Sequence, residues 1–227
     1  DGVQSHGINR FALFVELIEK GIINPAAEPS IKLQAGAMEQ YDGRQGPGIL
    51  NALYCTDRAI ALSKTHGIAC IGLSNTNHWL RGGTYAWKAA EEGYISIMFT
   101  NTKPNMPPWG ASKALIGNNP LVLGIPSDKG HIVLDMAMSM FSYGKLSSYQ
   151  QAGESLPFEG GYDQHGNLTR DPGAILSSER LLPAGFWKGS GLSVMIDIMA
   201  GILSGGNTVS DIGKYKVETG LSQVFIC

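Results

Sequence analysis

Cysteine is scarce: Cys55, Cys70 and Cys227 are the three in a chain of 227 residues. They are odd in number, far apart and form no Cys-x-x-Cys pair, which argues against a disulfide framework and a cysteine-built zinc site. The expected compartment is then a reducing one, the cytoplasm. Charge is sparse too. Charged residues make up 16% of the sequence and balance to a formal net charge of −2. With no long run of either sign, neither nucleic acid nor an anionic membrane surface is an expected partner. No apolar run approaches the roughly 20 residues that a bilayer-spanning helix needs, and the stretch from Asp1 to His6 is polar rather than signal-like. Also missing are G-x-G-x-x-G after a strand, G-x-x-x-x-G-K-[ST] and G-x-S-x-G. The usual dinucleotide, P-loop and hydrolase signatures are therefore absent. His78 lacks a histidine four residues on or a carboxylate at ligand spacing, so no metal is expected.

What is present suffices for a core. Hydrophobic residues reach 43%, enough for one large or two small domains and incompatible with disorder. The 30 glycines are roughly twice average usage and predict many turns or close backbone approach to a ligand. Phe11, Phe14, Val15 and Ile18 recur at helical spacing between Asn9, a candidate cap, and Gly21, a terminator. Ser5, His6 and Gly7 would then stand at a helix entrance. A second helix is predicted over residues 48–65 and a buried strand over 68–73, followed by a polar turn over 74–78. A helix over 84–92 and a strand over 94–100 come next. Strand, helix, strand predicts a βαβ unit whose ligand crevice lies beyond the carboxyl ends of its strands, where residues 74–81 and 101–109 would sit. Residues 121–125 and 132–134 predict an antiparallel hairpin with Asp135 at its exit, residues 153–173 a long irregular loop, 192–203 a buried helix and 221–227 a final strand.

Four polar clusters in the predicted turns are candidates for chemistry. Reducing a 2-keto acid requires a proton for the ketone oxygen and a cation for the carboxylate, and His6 with Arg10 can supply both. Spacing of i, i+4 puts them on one face if the helix includes His6. If His6 sits in the cap they need not converge, and the plain alternative is a capping polar residue with a surface arginine. His78 and Arg81, at the crevice edge beside Trp79, suit hydrogen bonding to a polyhydroxylated acid; the alternative is a satisfied turn histidine with Trp79 in the core. Residues 107–110 and 117–120 form rigidly punctuated loops that turn chemistry alone also explains. Gly189-Ser190-Gly191, with Lys188 before it, is either an N–H cradle for a phosphate or simply a helix entrance.

The motifs Ser5-His6-Gly7-Ile8-Asn9-Arg10-Phe11, Ser74-Asn75-Thr76-Asn77-His78-Trp79-Leu80-Arg81-Gly82-Gly83 and Met106-Pro107-Pro108-Trp109-Gly110 resemble those of the malate/L-lactate dehydrogenase-like oxidoreductases. So do Ile116-Gly117-Asn118-Asn119-Pro120, the run from Asp135 to Gly144, and Phe186-Trp187-Lys188-Gly189-Ser190-Gly191. The resemblance covers nearly the whole chain in consistent order. It implies an α/β fold with a mixed sheet, distinct from the Rossmann type, which accounts for the missing G-x-G-x-x-G. It also implies a nicotinamide cofactor, NADH rather than NADPH, bound near a homodimer interface. His6 matches the family's proton donor. His131, Ile132, Val133, Leu134, Asp135, Met136 and Ala137, together with Trp187 and Lys188, match cofactor-binding stretches. Arg10, His78 and Arg81 complete the expected substrate-binding set, with Arg10 as carboxylate clamp on chemical grounds.

The implied reaction is reduction of a small 2-keto sugar acid. The alternatives are a malate- or lactate-type dehydrogenase and a non-catalytic sugar-acid-binding module. Residues 1–227 are expected to form one catalytic unit, 1–100 the substrate part and 101–220 the cofactor part. Family members carry further segments before Ser5 and after Cys227, so a trimmed version of the unit is expected. Asn118 stands where many relatives carry threonine, a change expected to alter a local hydrogen bond.

Overall fold

Val224 and Phe225 are consecutive residues of one strand and belong to two different cores. That alternation is the pleat of a strand buried on both faces. The structure, a computed structural model, describes residues 6–227; Ser5 and the side chain of Asn9, the expected cap, lie outside the described residues. Seven strands form the main sheet: β1 (Ser30–Ala35), β2 (Met38–Asp42), β3 (Cys70–Thr76), β4 (Ser96–Thr100), β5 (Leu121–Ile125), β6 (Ile132–Met136) and β9 (Leu221–Ile226). Their order is β1-β2-β3-β9-β4-β5-β6. β2 and β3 are parallel and every other neighbouring pair is antiparallel, a mixed sheet rather than the parallel Rossmann one.

Helices cover both faces. α2 (Gly48–His66) and α3 (Gly83–Glu91) pack Ala52, Cys55, Ala59 and Ala86 against Ile71, Leu73, Met98 and Phe225. α6 (Trp187–Ser204) packs Ile196 and Ala200 against Phe99 and Val224 on the other side. The expectation that α6 would be wholly buried is corrected. Ser193, Ala200, Gly201 and Ser204 sit buried toward the sheet, whereas Met195, Ile198 and Ile202 are exposed. Its small residues let it approach closely: a Cβ on Gly72 of β3 would lie 2.1 Å from the Leu203 carbonyl oxygen.

The expected βαβ unit exists with one change. β3 and β4 are parallel to each other because both pair antiparallel with β9, which is inserted between them from the far end of the chain. No local pattern could have announced that insertion. Their carboxyl ends still share one edge of the sheet. Asp135 lies inside β6 rather than at its exit. Residues 153–173 are not a bare loop, since they contain the ribbon of β7 (Gly161–Tyr162) and β8 (Leu168–Thr169) and the start of α5 (Pro172–Ser178), which Asp171 caps. The hairpin of β1 and β2 and the helix α4 (Tyr143–Ala152), capped by Ser142, were not anticipated. The first helix, α1 (Phe11–Glu19), follows a 3-10 turn over Ile8–Arg10, so the position before it is held by Arg10 rather than Asn9. Among the described residues no helix is long and apolar enough to cross a membrane.

Candidate active site

β3 ends at Thr76, and the chain leaves the sheet through a turn that two buried residues hold. Asn77 donates from Nδ2 to the carbonyls of Gln45 (2.9 Å) and Gly46 (3.1 Å). The indole of Trp79 packs against Tyr85 and Phe225, while the Tyr85 hydroxyl donates to the Trp79 carbonyl. Between these anchors, His78 faces a cleft of about 1040 Å³. Leu80 sits at a left-handed φ of 63°, a strained conformation for a branched side chain. In that conformation its N–H donates to His78 Nδ1 at 2.9 Å. Nδ1 is thereby an acceptor, and a neutral His78 must carry its proton on Nε2.

The cleft occupies the edge that β3 and β4 share. His6, Arg10, Phe14 and Leu17 form one wall, Val133 and Asp135 of β6 with Ala137 just after it another, and Asn105, Asn118 and Tyr143 line it too. His6 and His78 stack, ring centroids 5.7 Å apart and planes 25° from parallel. Burial above all, then His78 and Arg10, pushes His6 down from its ordinary value to about 4. Burial also lowers His78, with Arg10 adding to the effect and Glu218 opposing it. Arg81 Nε approaches Asp135 Oδ2 at 4.0 Å, and the same oxygen accepts the Gly83 N–H at 2.7 Å. The cleft thus brings together two imidazoles whose charged forms burial disfavours and two arginines, a set of groups able to hold a carboxylate and to exchange a proton.

Of the residues singled out from sequence, His6, Arg10, His78, Arg81, Val133, Asp135 and Ala137 line this cleft together. His6 and Arg10 converge although the helix starts after both. His78 lines the cleft, and Trp79 beside it is a core residue that also reaches the cleft wall. Strand alternation turns Ile132, Leu134 and Met136 to the other face of β6. The His131 ring meets the Trp87 indole edge-on at 5.8 Å. Trp187 and Lys188 open α6 outside the cleft lining, with Trp187 exposed. The phosphate-cradle reading of Gly189-Ser190-Gly191 is corrected: the Gly189 and Ser190 N–H groups are taken by the carbonyls of Ala184 and Phe186. Asn118, from the expected 117–120 cluster, lines the cleft as well, whereas Asn105, Tyr143 and Glu218 were missed. Each stands in a loop or a helix start where only the folded chain reveals a common cavity.

The residues present fit a nicotinamide cofactor. β6 is an edge strand, so one side of its backbone offers unpaired donors and acceptors beside Val133, Asp135 and Ala137. The cleft exceeds what a small keto acid fills, since drug-sized ligands occupy about 300–1,000 Å³.

Comparison with known proteins agrees with this arrangement. Residues 1–227 match the family model described as malate/L-lactate dehydrogenase. The 2,3-diketo-L-gulonate reductases of Klebsiella pneumoniae and Escherichia coli are each 49% identical over 226 residues, which is 99% of this chain and 68% of theirs. The crystal structure of a malate dehydrogenase from Entamoeba histolytica overlays with a TM-score of 0.92 at 30% identity, covering 98% of this chain and 66% of that one. The sulfolactate dehydrogenase of Methanocaldococcus jannaschii overlays at 0.85 with 28% identity, covering 99% of this chain and 66% of that one.

Proposed function

Because the chain belongs to the malate/L-lactate dehydrogenase family of oxidoreductases, we propose that the protein reduces 2,3-diketo-L-gulonate, or a closely related 2-keto sugar acid, at the 2-keto carbon. The observation that carries the substrate is the 49% identity to diketogulonate reductases, against 30% and 28% to the solved malate and sulfolactate dehydrogenases. The cofactor, NADH in preference to NADPH, supplies the hydride when bound. The segment from His131 to Ala137, with Trp187 and Lys188, would hold it; only Val133, Asp135 and Ala137 of these residues face the cleft.

The chain's own residues do the rest. Arg10 and Arg81 bind the substrate carboxylate, and His78 donates from Nε2 to an oxygen beside it. His6 delivers the proton to the ketone oxygen. Arg10 is one of the causes that keep His6 neutral in the free cleft. A carboxylate arriving at Arg10 cancels part of that field and raises the affinity of His6 for a proton when the substrate is in place. The committed acid is thus assembled with its substrate. Residues 1–227 act as one catalytic unit, with the substrate part in residues 1–100 and the cofactor part in 101–220, and the unit works as a homodimer in the cytoplasm.

The test is consumption of reduced nicotinamide, followed by absorbance, with the full-length protein and a panel containing 2,3-diketo-L-gulonate, oxaloacetate and pyruvate. The proposal expects the highest kcat/KM on the sugar acid. Preference for oxaloacetate or pyruvate would move the protein to the malate or lactate branch, and binding without turnover would make it a sugar-acid-binding relative.

A further inference from the structure

Resting on the reading of the cleft as a 2-keto acid reductase site, we propose that Tyr143 and Asn105 form the subsite that reads hydroxyl groups on the substrate's tail. Two buried polar atoms on the cleft wall have no hydrogen-bond partner among the described residues: the Tyr143 hydroxyl and Asn105 Oδ1. Asn105 is only 4% exposed. Buried polar groups are almost always paired, so orphans of this kind need an explanation.

Their chemistry is complementary. Asn105 donates from Nδ2 to Asn118 Oδ1 at 2.8 Å, and Asn118 Oδ1 also accepts from the Thr102 hydroxyl at 3.2 Å. That network fixes the Asn105 amide, leaving Oδ1 as an acceptor that wants an O–H. Burial chiefly, with the negative charges of Glu179 and Glu218, holds the proton on Tyr143 more firmly than in a free phenol. Tyr143 is therefore a dependable donor. One unused acceptor and one unused donor on the same cleft match an alcohol, which gives one hydrogen bond and takes another. Carboxylate or ketone oxygens satisfy only the donor. Keto acids with a plain hydrocarbon tail satisfy neither, and the two atoms stay unpaired when such a ligand binds.

Tyr143→Phe removes the orphan hydroxyl and nothing else. Deleting an unpaired buried group should leave the melting temperature unchanged or higher. In the full-length enzyme, the ratio of kcat/KM for 2,3-diketo-L-gulonate to that for 2-ketobutyrate should fall about tenfold, the loss expected of one hydrogen bond between neutral groups. Binding of L-gulonate, which has the hydroxyls but no ketone to reduce, should weaken by a similar factor in calorimetry. Asn105→Leu should shift the same ratio in the same direction. An unchanged ratio, a lowered melting temperature with both substrates affected alike, or a shift in the KM for the cofactor alone would overturn the assignment while leaving the reductase intact. Turnover absent in the wild type, with L-gulonate still bound and still weakened by Tyr143→Phe, would instead overturn the reductase reading and keep the subsite. If the wild type neither reduces the sugar acid nor binds L-gulonate, both fall.

Discussion

The imidazole of His6 lies stacked on that of His78, 5.7 Å between centroids, in a cleft that also contains Arg10. Burial, His78 and Arg10 act on His6 with the same sign. Burial removes the water that would solvate an imidazolium, while His78 and Arg10 disfavour a further positive charge, so the free cleft holds His6 neutral at ordinary pH. A neutral imidazole suits the oxidation direction as a base. Reduction requires the rarer protonated form, and this asymmetry can be measured.

The first prediction is a pH profile. His6 is lowered to about 4, so its acid form is complete only below that value and falls about tenfold for each pH unit above it. Because kcat/KM reports the free enzyme, its value for reduction should drop about tenfold per unit between about pH 5 and 8, while kcat/KM for oxidation of the hydroxy acid stays nearly flat. A reduction profile that is level across this range would show that the proton comes from a group other than His6.

Replacing His6 by asparagine keeps side-chain size and some hydrogen bonding but leaves no group able to give up a proton. The turnover number should fall by roughly 10²- to 10⁴-fold, with little change in cofactor affinity. The steep pH dependence should vanish with it. If the folded variant turns over within a few-fold of the wild type, His78 is the next residue to replace.

The outcome of these substitutions bears on how much of the site the sequence carried. Histidine and arginine drew attention through their chemistry, and His6, Arg10, His78 and Arg81 do meet in one cleft. The strand-helix-strand order also located that cleft, because the carboxyl ends of β3 and β4 share an edge. The insertion of β9 between them was not legible, since it joins residues more than a hundred positions apart in sequence. Nor was the exposure of Met195, Ile198 and Ile202 on α6, because periodicity shows which residues share a face but not which face meets the sheet. Tyr143 and Asn105 escaped notice for another reason. Their distinction is a missing partner, and that is a property of the folded cavity alone.

A stability prediction comes from Glu39, a charge buried in β2. Arg58 of α2 grips its carboxylate twice, Nε to Oε2 and Nη2 to Oε1, each at 2.6 Å, and Tyr41 and Gln34 donate to it as well. The arginine foremost holds the Glu39 carboxyl down to about 2. The folded value lies below the unfolded one of roughly 4.3, so this contribution is complete above about pH 4.5 and is lost as pH falls toward 2. Glu39→Gln should cost about 2–3 kcal/mol in urea denaturation at neutral pH, less than the 3–5 of a fully buried pair, because the Arg58 side chain is 36% exposed. The difference from wild type should shrink at pH 3. A constant difference at both pH values would assign the loss to packing rather than charge.

The last prediction concerns α1, which follows His6 and Arg10 directly. Phe14 and Leu17 line the cleft, but Phe11 is 65% exposed, Ile8 in the turn before the helix is 94% exposed, and no residue of α1 is fully buried. A helix apolar on more than one face is normally covered on both. A second copy of the chain on the outer face would give the homodimer an interface that shares a helix with the active site. Phe11→Glu would then bury an unpaired charge on association. Sedimentation should show the dimer dissociation constant rising about 100-fold or more, which corresponds to roughly 2.7 kcal/mol. Activity lost on dilution should return at high protein concentration, since the cleft residues themselves are unchanged. A wild-type protein that sediments as a fully active monomer would exclude the dimer. A Phe11→Glu dimer as tight as wild type would place the interface elsewhere, with the exposed face of α6 the surface to test next.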